Sequence, residues 1–91
     1  MSVAKKRVRE AFRAAVFARD RGRCLVCGHP AVDAHHIVPR EQSIDGGYVV
    51  ENGASLCAAC HESAEAGDIS AGDLFELLKK WRALASYRVR E

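Results

Sequence analysis

No run of apolar residues in this sequence approaches the roughly 18 that a membrane-spanning helix needs. No secretory leader is expected either, because Arg13 interrupts the apolar run that starts at Ala11 and Arg19-Asp20 ends it. There are no repeats, no low-complexity tract and no linker, so nothing divides the chain. The net charge is only +2, too little to argue for a polyanionic partner by itself. Length is short too: 91 residues lie near the lower end of what folds on a hydrophobic core alone. Chains of this size often need a staple, either disulfides or a structural metal. These absences predict one domain over residues 1–91, with no membrane contact, in the reducing cytoplasm.

What is present is concentrated between Cys24 and His61. Two Cys-x-x-Cys pairs, Cys24/Cys27 and Cys57/Cys60, are separated by 29 intervening residues. Between them lie His35-His36 and Asn52, and His61 follows the last cysteine directly. Four thiolates in two such pairs can surround one tetrahedral Zn2+ and close its coordination, which makes a structural site with no open position. Two disulfides or a redox Cys-x-x-Cys are the competing explanations. Neither accounts for the pair occurring twice, and a reducing compartment speaks against disulfides. Zinc domains of the LIM or RING sort take two zincs and more cysteine or histidine pairs than this chain offers.

Hydrophobic spacing supplies the frame. Val8, Phe12, Ala15 and Val16 form one stripe of a helix over residues 3–20, with Gly22 able to take the left-handed stop. Cys24-Leu25-Val26-Cys27-Gly28 reads as a zinc knuckle in which His29 is structural or exposed. Ala31 to Val38 has strand character ended by Pro39, and Arg40 to Gly47 reads as a loop. Tyr48-Val49-Val50 is β-prone, and Gly53 to Leu56 suits a second short strand. The alanine-rich segment from Cys57 to Ala66 predicts a helix with Gly67 as its stop. A last helix over 70–84 opens on a Ser70/Asp73 capping pair and carries Leu74, Leu77, Leu78, Trp81 and Leu84, with Trp81 expected in the core.

The segments DAHHIVP, VENGASLC and CAACHESAE together resemble the HNH endonucleases of the His-Me finger (ββα-metal) class, in the subgroup clamped by a four-cysteine zinc. The resemblance covers about residues 19–66, including the Arg19-Asp20 lead-in. It implies an α+β fold: a small ββα-metal core stapled by zinc and flanked by an N-terminal and a C-terminal helix. It also implies roles: His36 as general base, Asn52 as the residue that holds the loop between the strands, and His61 and His35 as ligands of a catalytic divalent metal. Some family members carry a further histidine four residues after the helical one. That position is Glu65 here, either a carboxylate ligand or, more plainly, a solvated helix residue. Asp33 lies on the His35 side of the strand, where it would support His35.

The chemistry of these residue types agrees with those roles. Phosphodiester hydrolysis needs a deprotonated water in line with the leaving oxygen, and a histidine titrating near neutrality can take that proton. A divalent cation, Mg2+, Mn2+, Zn2+ or Ni2+, would stabilise the scissile phosphate and the leaving group. Adjacent residues of an ideal strand face opposite ways, so reaching one site with both His35 and His36 requires the strand to end or distort there.

Charge is distributed unevenly. Residues 1–23 hold eight Lys/Arg against two carboxylates, and the remainder six against ten. Lys5, Lys6, Arg9, Arg13 and, beyond the strand, Arg40 are the candidate DNA-phosphate contacts, although a basic solvated helix face would look the same. The expectation is therefore a metal-dependent DNA endonuclease of prokaryotic or phage type. The alternative is a catalytically inactive, zinc-stabilised DNA-binding module. A homodimer or a partner protein directing specificity is compatible with either.

Overall fold

The computed structural model describes residues 3–43 and 46–89, with side chains over 5–43 and 46–81. Helix α1 spans Val3–Asp20, strand β1 Asp33–His36, strand β2 Gly53–Leu56, helix α2 Ala58–Glu65 and helix α3 Ala71–Val89. Short 3-10 turns lie at Arg40–Gln42 and Val50–Asn52. The small α+β architecture expected from the sequence is the one observed. None of the described helices is long and apolar enough to cross a membrane.

The two strands pair antiparallel, Asp33 opposite Leu56 and His36 opposite Gly53. Because side chains alternate, this register gives the sheet two different faces. His36, Gly53 and Ser55 face α1, where Phe12 stacks on His36 and Ser55 Oγ donates to the Val16 carbonyl at 3.4 Å. Ala54 and Leu56 face the other way, into a cluster with Cys24, Leu25, Ile37, Leu74 and Leu78. Leu56 and Leu74 are completely enclosed there, worth roughly 2–3 kcal/mol each in apolar burial.

The α1 stripe is narrower than its sequence predicts. Phe12 and Val16 are buried, but Val8 and Ala15 are exposed. Four-residue strands extend only about 13 Å, whereas 18 helical residues extend about 27 Å. The sheet therefore ends before it reaches Val8. The helix closes in a Schellman arrangement in which Gly22 donates to the Phe17 carbonyl at 2.9 Å and Arg21 to that of Ala18 at 3.4 Å. The expected left-handed Gly22 has φ +70, but Arg21 precedes it in the same region at φ +57 and takes the capping position.

Arg19 and Asp20 then fasten this helix end to β2. The Arg19 guanidinium donates to both Asp20 oxygens, at 2.7 and 2.6 Å, and to the carbonyls of Val50 and Gly53 at 2.7 and 2.6 Å. The outer edge of β2 is covered at Ser55, whose amide donates to Asp20 Oδ2 at 3.0 Å and whose carbonyl accepts from the Leu25 amide at 2.7 Å. An otherwise open strand edge is thus satisfied by a helix end on one bond and the knuckle on the next.

Some expected elements differ. Strand pairing is confined to Asp33–His36 rather than running from Ala31 to Val38. Among the described residues Tyr48-Val49-Val50 finds no partner strand; the Asn52 amide bonds back to the Val49 carbonyl at 2.9 Å and the segment becomes a turn. Gly67 does stop α2, at φ +89, and Ser70 and Asp73 do cap α3 reciprocally, each amide bonding the other side chain at 3.0 Å. Trp81 is not a core residue: it is 50% exposed, at the rim, with its indole N–H on the Leu25 carbonyl at 3.4 Å. Leu74, Leu78, Leu25 and Leu56 already fill the small core beneath it. Leu84 lies outside the described side chains.

Candidate functional site

The four cysteines converge. Every pair of their sulfurs lies within 4.8 Å, and Cys27 Sγ is 3.6 Å from Cys57 Sγ. A disulfide would need about 2.05 Å, and all four thiols are free. Tetrahedral coordination at about 2.3 Å per bond separates sulfurs by about 3.8 Å, so the four side chains can hold one zinc ion. Local geometry prepares the first pair: Gly28 takes φ +80 and its amide bonds the Cys24 carbonyl at 2.9 Å, turning the knuckle back on itself. The second pair begins α2, where Cys57 is the N-cap and its sulfur accepts from the Cys60 amide at 3.5 Å. Burial pushes the Cys24 thiol up, but the amides facing it, from Cys27, Cys57 and Val26, outweigh that and hold it at about 6. Burial and the neighbouring sulfurs push Cys60 well above its usual value. A group that favours the thiolate at Cys24 and disfavours it at Cys27 and Cys60 is suited to a cation at its centre.

On the side of the sheet facing α2, His35, His61 and Glu65 come together, with one ligand atom from each within 4.8 Å of the others. The rings of His35 and His61 meet edge to face at 5.2 Å. Glu65, the plainer expectation for which was a solvated helix residue, is drawn into this group. Its Oε1 lies 3.1 Å from His61 Nε2 and 3.9 Å from His35 Nδ1, because i and i+4 share one helix face. Asp33 also differs from expectation: its Oδ2 is 3.0 Å from His61 Nδ1, so it supports His61 rather than His35. With the Nδ1 proton given to Asp33, the Nε2 lone pair of His61 faces a carboxylate oxygen. Two acceptors in that position require a proton or a cation between them.

His36 is not a member of this group. Of the two expected outcomes, an end or a distortion, the strand ends, but only after His36: the β1–β2 pairing runs through both histidines without a bulge, so the two rings stay on opposite faces. The His36 ring is stacked on Phe12 at 4.5 Å and meets the edge of Tyr48 at 4.9 Å. Its Nε2 is buried with no hydrogen-bond partner among the described residues. Burial, then the nearby Arg40 charge, lowers the His36 pKa. His35 is lowered as well, by burial first and then by His61, against an opposing pull from Glu65. Both imidazoles are therefore biased toward the neutral, proton-accepting form.

Asn52 is buried and ties together the two ends of the loop that follows the histidine pair. Its Oδ1 accepts from the Val38 amide at 2.9 Å, and its Nδ2 donates to the Val38 and Gly47 carbonyls at 3.1 and 3.2 Å. Gly47, at φ +74, leaves no room for a side chain: a Cβ there would come 2.8 Å from Asn52 Nδ2 and 3.3 Å from His36 Cδ2.

The basic candidates divide. Lys5, Lys6 and Arg9 lie exposed on α1. Arg13 is engaged at the sheet, donating to the Val32 carbonyl at 3.0 Å, with Asp33 Oδ1 at 3.9 Å and the Phe17 ring beneath its guanidinium at 4.6 Å. Arg40 lies over the Tyr48 ring at 5.2 Å. The Arg19-Asp20 lead-in marks where the resemblance begins, but its role as a clamp and the Phe12 and Tyr48 walls around His36 depend on packing between elements; the local signal for the walls is an aromatic on the inner face of α1.

Residues 24–67 match the family model of the HNH endonucleases. No curated protein and no solved structure matches the chain. The matched span begins at the first knuckle cysteine and ends at the glycine that stops α2, so it contains the whole ββα unit and both cysteine pairs. Between α1 and α3, then, the chain is similar to the HNH endonucleases over residues 24–67, and its four clustered cysteines are consistent with a zinc-binding subgroup of them.

Proposed function

We propose that this protein is a metal-dependent DNA endonuclease that hydrolyses phosphodiester bonds, with His36 as general base and His35, His61 and Glu65 holding the catalytic divalent cation. The observation that carries this is the His61 arrangement: Asp33 on Nδ1 and Glu65 on Nε2 leave an acceptor pair that a cation would satisfy, beside the second histidine His35. A divalent cation bound there would supply positive charge to the scissile phosphate and the leaving oxygen. One carboxylate among two imidazoles suits Mn2+ or Mg2+ better than an all-histidine set would.

The chain's own residues divide the remaining work. His36, biased neutral by burial and Arg40, can accept the water proton, and the walls of Phe12 and Tyr48 keep its ring from turning. Asn52 holds Val38 and Gly47 together and so fixes the backbone that presents His36. The four cysteines, loaded with structural zinc, join the knuckle to α2 and hold His61 at its height above the sheet. Lys5, Lys6 and Arg9 on α1 offer charge to the DNA backbone, and Arg40 offers it beside His36.

The separation of His36 from the His35/His61/Glu65 group is the observation that favours the second reading, a DNA-binding module without catalysis. Supercoiled plasmid incubated with the purified protein and a panel of divalent metals separates the two. Metal-dependent nicking is expected, lost in His36→Ala while folding and zinc content persist. Full activity in His36→Ala would remove His36 as the base. A wild type that binds plasmid but cuts it with no metal would leave the binding module.

A further inference from the structure

Cys27 is the exposed member of the cysteine group; Cys24 is buried and the other two are partly covered. One side chain outside the group meets its sulfur: His29 Nδ1 lies 3.3 Å from Cys27 Sγ. His29 does not belong to the set of mutually close ligand atoms, so it stands beside the site without being one of its ligands. The knuckle fixes it there. Gly28 turns the chain at φ +80, and the Cys24 amide donates to the His29 carbonyl at 2.6 Å, tying His29 to the residue that carries the buried thiol.

We infer that His29 is a positioning residue of the structural zinc site, donating its Nδ1 hydrogen to the Cys27 thiolate. The inference rests on the zinc reading of the four cysteines. Four thiolates around one dication leave excess negative charge on sulfur, and at Cys27 water competes for that charge most directly. The His29 Nδ1–H, 3.3 Å away, offsets part of it. The other three sulfurs are shielded by protein and have less need of such a donor. The consequence is kinetic as well as energetic: the most accessible ligand is held in its binding rotamer, so the ion leaves more slowly.

The test uses the full chain loaded with zinc, or with Co2+ in its place. Displacement by a chromophoric chelator is followed in the wild type, His29→Ala and His29→Asn, the last because its amide N–H falls close to the position of Nδ1. His29→Ala is expected to release zinc about tenfold faster, with His29→Asn near the wild type. In the Co2+ forms, the thiolate-to-metal charge-transfer band should move to lower energy in His29→Ala and stay in place in His29→Asn. A wild-type rate and an unmoved band in His29→Ala would overturn the inference, as would an asparagine variant that behaves like alanine. If the alanine variant does not fold, His29→Phe keeps the ring and removes the nitrogen: fast release supports the role, wild-type release overturns it. A wild type that binds neither ion would instead overturn the zinc reading itself.

Discussion

Asp33 Oδ2 lies 3.0 Å from His61 Nδ1, joining β1 to α2 across the face of the sheet. The contact orients the imidazole so that Nε2 is presented to Glu65 and His35. Removing it frees the ring to rotate and lowers its basicity as a ligand. Asp33→Ala should therefore weaken Mn2+ binding by roughly 10- to 100-fold in a calorimetric titration, with zinc content unchanged. Equal Mn2+ affinity in the variant would show that Asp33 does not serve the histidine site.

Asp20 is expected to matter for folding. Its carboxylate is almost enclosed, takes two bonds from Arg19 and covers the Ser55 amide on the β2 edge. Asp20→Ala leaves the guanidinium and the amide short of a partner, which should cost roughly 3 kcal/mol in denaturant unfolding. A loss below about 1 kcal/mol, the scale of an exposed pair, would contradict the clamp.

Gly53 is predicted to be intolerant of a side chain for a reason unrelated to its backbone angles. A Cβ there would overlap Val16 Cγ2 and come 2.9 Å from Phe12 Cζ. Gly53→Ala should lower stability by about 2 kcal/mol as α1 is pushed off the sheet. Adding Val16→Ala should recover part of that loss, because the two sites touch and their effects are not additive. Simple additivity in the double variant would mean that the clash is relieved elsewhere.

Stability should also depend on pH through the histidines. His35 and His36 are both held below the ordinary value of 6.5, by burial in each case. The folded chain then resists protons that the unfolded chain takes up. Their contribution is complete above pH 6.5 and is lost as pH falls through the depressed folded values. Denaturant midpoints should fall between about pH 7.5 and 5.5, and His36→Phe, which keeps the stack on Phe12 without titrating, should show a smaller drop. An equal drop in the phenylalanine variant would assign the pH dependence to other groups.

Much of this was legible before any coordinates. The spacing of the cysteine pairs announced that the four thiols would converge, because a tetrahedral ion dictates how its ligands must be grouped. Ser70 with Asp73 and Gly67 after the alanine-rich run were readable because caps and stops act within a few residues. Strand parity correctly put Asp33 on the face of His35 and on the side opposite His36. It could not say which residue of α2 would stand over that face, and it is His61 that meets Asp33. Trp81 was misjudged for a related reason: helical spacing marks a side, but the depth of the core depends on how many leucines other elements have already supplied.

The sequence by itself determined which chemistries are available: four thiolates in two pairs, two adjacent histidines, an asparagine and a third histidine at the head of a helix. Those are properties of residue type and short-range spacing, and they survive any arrangement of the elements. Tertiary structure decided how they are shared out. A regular two-stranded register sent His35 toward α2 and His36 toward α1, and the height of α2 above the sheet gave His61 to Asp33 and brought in Glu65. The Arg19–Asp20 clamp placed Phe12 over His36 by bonds that span 31 to 35 residues of chain. Contacts of that range depend on packing between elements, and no local pattern encodes them.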